Sequence, residues 1–522
     1  MSEPDKALPL KAILDEFPFA ILSGRGDDTP ILKVAADSRQ VEAGTLFVAC
    51  SGAATDGHRF IPDALAKGAA AVVGEQVLSG LPVPYLRVEN SRQALAHLAA
   101  AFYGHPARRL TVIGVTGTDG KTTTCNLLYQ ILVAAGLRAG MISTVNAVIG
   151  DRLLDTGFHV TTPDAPDVQR YLAQMVDADL TAVVLETTSH GWAQYRVDAC
   201  EIDVGVVTNV THEHLDYHGS YENYLAAKAR LFLSLKETRA KPQGNPRLSV
   251  LNRDDGSYEA LSRLAPGPQV AYGLEQGVDV RAVDVKYAPD GIRFTAVGQG
   301  LSLVVTSPLV GAFNVSNCLA ALTAATRGLG IAPEIAARGI AAMAGVPGRM
   351  ERIDLGQPFT AIVDFAHTPN ALRVAIEALR KMTDKHVIAI FGSAGLRDRE
   401  KRRMMAEVSA ELADVSILTA EDPRTESLDG ILEEMAEGAR ARGGVEGRTF
   451  WRIPDRGAAI RLGVRMAAPG DIVVACGKGH EQSMCFGTIE YPWDDRTAMR
   501  AALSELTGAA GPQMPQLPTS EA

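Results

Sequence analysis

Thr111-Val-Ile-Gly-Val-Thr-Gly-Thr-Asp-Gly-Lys-Thr-Thr-Thr124 is an apolar strand that runs into a glycine-rich turn carrying one lysine and then three threonines. Such a turn is a phosphate cradle. Gly117 and Gly120 let the backbone curl so that successive N–H groups face an anion, with Thr118, Asp119 and Thr123 completing the loop. Lys121 is placed to neutralise a terminal phosphate, and the Thr122 hydroxyl to ligate Mg2+. The nucleotide that fits is ATP or GTP. The common P-loop spelling fails, because the glycine expected before Gly120 is Val115. The plain alternative is an ordinary glycine-rich βα turn. Against it, Val112, Ile113 and Val115 supply the strand, Cys125 to Ala135 reads as the following helix, and Lys-Thr falls at the helix N-terminus, where the dipole favours phosphate.

Outward from this loop, 522 residues leave room for about three domains with several buried cores. Hydrophobic content of 46% and charged content of 21% place the chain among soluble globular proteins. A net charge of −10, with no basic stripe interleaved with aromatics, argues against a nucleic-acid partner. The basic run Arg397 to Arg403 contains Asp398 and Glu400 and reads as a solvated loop and helix start. The six cysteines are scattered without a Cys-x-x-Cys pair and read as reduced core residues. No signal-peptide core opens the chain and no long apolar run interrupts it, so a cytoplasmic protein without membrane insertion is expected. No apolar stripe demands a partner, and a monomer is the default.

The expected class is α/β, with three domains and a disordered tail. Residues 1–107 hold short strands, such as Thr45 to Ala49 and Ala70 to Val73, and form a small α/β domain that closes near His105-Pro106-Ala107. Residues 108–347 alternate apolar strands and helices in the manner of a doubly wound, P-loop-type sheet. Residues 348–506 repeat strand-then-polar-turn units as a second, Rossmann-like α/β domain. Residues 507–522 are rich in Gly, Pro, Gln and Ser and are expected to be disordered.

In the central block, Ala182 to Leu185 delivers Glu186, and Val204 to Val207 delivers Thr208-Asn209 and then the loop His212 to His218. Ligands of open parallel sheets bind beyond the carboxyl ends of the strands, so these clusters should face the phosphate loop. A triphosphate carries more charge than one lysine offsets, so a metal site is expected nearby, with Glu186, His214 and Thr122 as candidate ligands. A lone strand-end glutamate would read as a cap or a surface residue. Thr187-Thr188-Ser189-His190 makes it one of a crowd of polar side chains. His212 and His218 read as structural, and the absence of a nearby cysteine favours Mg2+ over zinc. Lys228, on a helix of apolar periodicity, reads by itself as a surface lysine.

Thr-Gly-Thr-Asp-Gly-Lys-Thr-Thr (116–123), Glu-Thr-Thr-Ser-His-Gly (186–191), His-Leu-Asp-Tyr-His-Gly (214–219), Phe-Asn-Val-Ser-Asn (313–317), Gly-Arg-Met-Glu (348–351), Asp-Phe-Ala-His-Thr-Pro (364–369), Asp-Pro-Arg-Thr-Glu (422–426) and Gly-Lys-Gly-His-Glu (477–481) follow one another in an order that resembles the Mur ligases, most closely the MurE type. The resemblance spans roughly residues 30–506 and implies an ATP- and Mg2+-dependent amide ligase of peptidoglycan precursor synthesis, adding a diamino acid to UDP-MurNAc-L-Ala-D-Glu. It implies that Lys121, Glu186, His214 and Lys228 serve the reaction. Glu186 and His214 would hold metal, and Lys228, as a carbamate, would hold a second one. Asn314, Arg349, Asp364 and His367 resemble the positions where the C-terminal domain closes on the nucleotide. Ser38, Ala53, Ala54 and Thr55, together with Thr161, Thr162, Thr188, Gln194 and Arg196, resemble the residues that hold the UDP-muramoyl peptide. Arg397, Glu421, Asp422, Pro423, Arg424, Gly477 and Glu481 resemble the amino-acid contacts.

Four positions depart from the family pattern. Asp119 replaces the usual Asn, Thr188 replaces a serine, and Glu421-Asp422 stands where diaminopimelate-using members show Asp-Asn. Arg424 suits the distal carboxylate of meso-diaminopimelate, while Asp422 as an added acid would favour the bare ammonium of lysine or ornithine. The balance leans slightly to diaminopimelate. The rival readings are another ligase of the superfamily, of folylpolyglutamate or cyanophycin type, and a catalytically weakened nucleotide-binding partner protein.

Overall fold

The structure, a computed structural model, describes residues 7–52, 55–154, 162–211, 215–288 and 291–520. The chain forms two compact units. One holds residues 1–283, 295–305 and 316–342, and the other holds 284–294, 306–315 and 343–522. Both are α/β, as the strand and helix alternation requires.

In the first unit, the strands Ala139–Ile142, Ala182–Glu186, Thr111–Thr116, Val204–Val207, Leu248–Asn252 and Gln269–Gly273 lie side by side in that order, all parallel. Their near-continuous apolar runs suit strands covered on both faces. Register sets the site: Glu186 pairs with Val115 and Val207 with Thr116, so two polar strand ends flank the glycine-rich turn. The helix after the turn is Lys121–Ala134, four residues longer at its start than the sequence suggests, because left-handed Gly120 (φ 80°) caps it directly. The helix Tyr221–Leu233 packs on the sheet at Gly114, where a Cβ would lie 2.6 Å from Leu231 Cδ1. An N-terminal sheet of four parallel strands, Lys33–Ala35, Thr45–Val48, Ala69–Gly74 and Tyr85–Arg87, has its own core around Leu46, Val73 and Leu98.

In the second unit, Thr360–Asp364, Ile472–Cys476, Val387–Phe391, Val415–Leu418 and Phe450–Arg452 are parallel neighbours in that order, and Glu351–Ile353 pairs antiparallel with the first. Arg456, wholly buried, is paired with Asp495 (2.7 and 2.6 Å) and donates to the carbonyls of Ala420 and Cys476, tying two strand ends together. Residues 508–513 are exposed, but the end of the tail docks on the core through Met514 and Leu517, where a disordered tail was expected. Leu517 is buried, and the Thr519 and Ser520 hydroxyls donate to Asp455. A segment too polar to fold alone can still dock a few apolar side chains on an existing core.

Candidate active site

The phosphate loop is held from behind. Thr118 N–H donates to the Asn209 carbonyl (2.7 Å), Asp119 N–H to Asn209 Oδ1 (2.9 Å), and the Thr208 hydroxyl to the Asp119 carbonyl (2.6 Å). A Cβ on Gly117 would sit 1.8 Å from Thr208 Oγ1, and one on Gly120 2.2 Å from Asn317 Oδ1, so only glycine fits either place. The Asp119 side chain is exposed. Lys121 Nζ donates to the Thr118 carbonyl (2.7 Å).

Glu186 is buried beside this loop. Its carboxylate accepts from the Thr122 hydroxyl (3.0 Å), the Thr144 hydroxyl (2.8 Å) and the Thr144 N–H (2.9 Å). A buried carboxylate next to a hydroxyl and a phosphate cradle is an all-oxygen donor set of the kind Mg2+ takes, so Thr122 and Glu186 fit the ion. His214 lies outside the described residues, as do Thr161, Ala53, Ala54 and His212. Among the described residues there is no cluster of three or more His, Cys, Asp or Glu side chains able to hold a metal.

Lys228 is not a surface residue, which corrects the reading of that residue taken alone. It is 2% exposed, its Nζ donates to the Gly117 carbonyl (2.5 Å), and it lies 4.5 Å from the centre of the Tyr224 ring. Helix periodicity turns it inward because the close approach at Gly114 buries the whole face that carries Tyr224, Lys228 and Leu231.

Thr162, Thr188, Gln194 and Arg196 are brought together next to Glu186. The Thr162 and Thr188 hydroxyls are 3.1 Å apart, Arg196 donates to the Thr162 carbonyl (2.7 Å), and its guanidinium also meets Gln194 Oε1 (2.8 and 3.1 Å). Tyr217, which the sequence reading passed over, joins them by accepting from Gln194 (3.1 Å). Ser38 is held on a turn capped by Asp37, with its carbonyl bonded to Lys67 (2.9 Å). Among the described residues no hydrogen bond joins Ser38 or Thr55 to the Thr162 group.

In the second unit, Arg349, Asp364 and His367 gather around Phe365. The Arg349 guanidinium lies 4.4 Å from the centre of that ring, the His367 ring 4.5 Å from it, and buried Asp364 accepts from the Met350 and Ala366 N–H groups (2.7 and 2.9 Å). Burial raises the Asp364 carboxyl above the usual range, against the pull of Arg349. His480 lies against the same ring, and burial, with Arg349 adding, pushes its imidazole down to about 3. Asn314 instead bonds the Val310 carbonyl (2.7 Å).

Glu421, Asp422, Pro423 and Gly477 form a second cluster. A Cβ on Gly477 would lie 2.2 Å from Glu421 Oε2, and one on Gly395 2.0 Å from the Pro423 carbonyl oxygen, so the loop leading to exposed Arg397 is seated on this turn. Burial pushes the Glu421 carboxyl up. Lys478, almost wholly buried, bridges Asp422 and Glu481 (2.5 Å). Burial would lower its pKa, but these two carboxylates hold the ammonium above its ordinary value. Arg424, at a left-handed φ of 54°, is half-buried and closes the turn through its N–H to the Cys485 carbonyl.

Thr208 and Asn209 lie against the phosphate loop, as their place at a strand end leads one to expect. The sequence reading missed Tyr224 and Asn317 beside the loop, and for Tyr224 the only signal was its spacing from Lys228, four apart on a helix.

Comparison with known proteins is decisive. Residues 30–103 match the Mur ligase family catalytic domain, residues 115–325 the Mur ligase middle domain, and residues 348–479 the Mur ligase glutamate ligase domain. The chain belongs to the Mur ligase family. Among Mur ligases it is 46% identical to the UDP-N-acetylmuramyl-tripeptide synthetase of Roseiflexus sp. (strain RS-1), over 91% of this chain and 95% of that one. It is 40% identical to the UDP-N-acetylmuramoyl-L-alanyl-D-glutamate--2,6-diaminopimelate ligase of Geobacillus thermodenitrificans (strain NG80-2), over 92% and 96%. A solved UDP-N-acetylmuramoyl-L-alanyl-D-glutamate--2,6-diaminopimelate ligase superposes with a TM-score of 0.67 at 31% identity, covering 96% of this chain and 99% of that one. As a Mur ligase the chain also has no helix, among the described residues, long and apolar enough to cross a membrane.

Proposed function

We propose that this Mur ligase is a cytoplasmic UDP-N-acetylmuramoyl-tripeptide synthetase. It joins a diamino acid, with meso-diaminopimelate placed ahead of L-lysine and L-ornithine, to the D-glutamyl carboxylate of UDP-MurNAc-L-Ala-D-Glu at the expense of ATP. The observation that carries the reading is the register of the central sheet, which sets buried Glu186 and its Thr122 bond beside a glycine-rich phosphate loop.

A carboxylate is inert to amines, so a substrate oxygen first takes the γ-phosphoryl group, releasing ADP. The amine nitrogen then attacks the acyl carbon, the tetrahedral intermediate expels phosphate, and the nitrogen gives up its proton. No protein nucleophile is required. Gly117 to Thr123 wrap the phosphates, with the backbone N–H groups that are not bonded to Asn209, and Lys121 moves from the Thr118 carbonyl to the γ-phosphate. Thr122, Glu186, His214 and Lys228, the last as a carbamate, are the residues that would hold Mg2+, which when bound offsets charge on the transferring phosphoryl group. Thr162, Thr188, Gln194 and Arg196, with Thr161, orient the muramoyl peptide, while residues 1–107, through Ser38 and Ala53 to Thr55, take the UDP end. Residues 348–506 take the amino acid through Arg397, Glu421, Pro423, Arg424, Gly477 and Glu481, with Asp422 holding the turn through Lys478, and carry Arg349, Asp364 and His367 for the nucleotide, to which Asn314 also belongs.

The test is phosphate release by the purified protein with ATP, Mg2+ and UDP-MurNAc-L-Ala-D-Glu, offering meso-diaminopimelate, L-lysine and L-ornithine in separate reactions. Turnover that requires both the UDP-dipeptide and one diamino acid is the expected result. ATP binding without turnover in any of the three would overturn it.

A further inference from the structure

Tyr224 is wholly buried at the start of the helix Tyr221–Leu233, and its hydroxyl lies 2.9 Å from Thr118 Oγ1 across 106 residues of sequence. A buried phenol hydroxyl needs a polar partner, and here that partner belongs to the phosphate loop itself. Thr118 is the node of the loop. Its N–H donates to the Asn209 carbonyl, its hydroxyl oxygen accepts from the Thr211 N–H (2.9 Å), and its carbonyl receives Lys121 Nζ. One turn further along the helix, Lys228 Nζ holds the neighbouring Gly117 carbonyl.

We propose that Tyr224 is a positioning residue for the nucleotide: its hydroxyl fixes the side chain of Thr118, whose N–H, like that of Asp119, is turned back onto Asn209, and so sets where the remaining N–H groups of the loop and of the helix start at Gly120 point. The physical reason is preorganisation. A glycine-rich turn is free to rotate its peptide planes, and every rotated plane aims a carbonyl oxygen instead of an N–H at the phosphate. Two supports on adjacent peptides, Tyr224 through Thr118 and Lys228 through Gly117, remove that freedom before ATP arrives. Both come from one helix face, four residues apart, so the helix acts as a splint beneath the loop. The inference rests on the reading of the loop as an ATP site.

Tyr224→Phe deletes the hydroxyl and keeps the ring in its place. The expected result is a KM and a Kd for Mg·ATP raised about fivefold or more, the worth of one buried hydrogen bond. The KM values for the UDP-dipeptide and the diamino acid should stay within about twofold, and the melting temperature within about 2 °C. Combining Tyr224→Phe with Thr118→Val should weaken ATP binding no further than Thr118→Val does alone, because both act through one bond. Unchanged ATP affinity in Tyr224→Phe, equal losses for all three substrates, or additive effects in the double variant would each overturn the proposal. Wild-type protein that binds no Mg·ATP would instead overturn the nucleotide reading on which it rests.

Discussion

The two oxygens of Asp422 lie 3.0 and 3.1 Å from Lys478 Nζ, and the lysine is almost wholly buried. Asp422 Oδ1 also accepts the Cys485 N–H (2.9 Å). The acid that replaces asparagine in this turn is therefore not a free carboxylate waiting for a substrate ammonium. Its charge is already met inside the protein, and Arg424 keeps its suitability for a distal carboxylate. The expectation that Asp422 draws the specificity towards lysine or ornithine treated the residue as unpaired, and the fold pairs it.

Asp422→Asn should therefore be mild. Lys478 keeps Glu481, an amide oxygen can still accept the Cys485 N–H, and the ratio of turnover on diaminopimelate to turnover on lysine or ornithine should move by less than about threefold. Lys478→Met should be severe, costing about 3 kcal/mol or more of stability, because it strands buried carboxylates. Denaturant melts and acceptor competition check both. A large swing in acceptor preference with Asp422→Asn would show that the carboxylate contacts substrate.

Glu186→Gln should lower kcat by about 100-fold or more, since it discharges the group bonded to the Thr122 hydroxyl. Lys228→Ala should lose most activity, and ¹³C-bicarbonate should label the wild-type protein but not this variant. Full activity in Lys228→Ala, measured by phosphate release, would remove Lys228 from the reaction.

His97 gives a pH dependence with a definite sign. Burial, with His105 adding, pushes its imidazole down to about 4, while Glu201 opposes; the ring stands edge-on to Phe19 at 4.9 Å. An unfolded histidine titrates at about 6.5, so between that pH and about 4 the unfolded chain binds the extra proton. Stability should fall as pH drops through this window and be restored above it. Urea melts of wild type and His97→Gln across the window should show a shallower fall in the variant. Parallel curves would show that His97 does not contribute.

Truncation after Gly508 should lower the unfolding free energy by about 2 kcal/mol, the worth of burying one leucine, without changing the KM for ATP. The side chains lost are those of Met514 and Leu517 and the hydroxyls on Asp455. A truncated chain that melts with the full-length protein would mean that the packed tail adds nothing.

The sequence by itself determined the phosphate loop, the alternation of strands with polar turns and the order of the motifs. These depend on residues adjacent in the chain: glycines where the backbone must turn, β-branched runs where strands are covered on both faces, and a lysine at a helix start. Tertiary structure alone decided that Lys228 faces inward, that Asp422 is neutralised by Lys478 across 56 residues, and that Tyr224 and Asn317 support the loop. It also decided that the tail docks through Met514 and Leu517. The reason is that burial and charge pairing are properties of neighbours in space. A helix position reads as a surface site until the glycine beneath it lets the sheet come close, and an aspartate reads as a free charge until the fold supplies its cation.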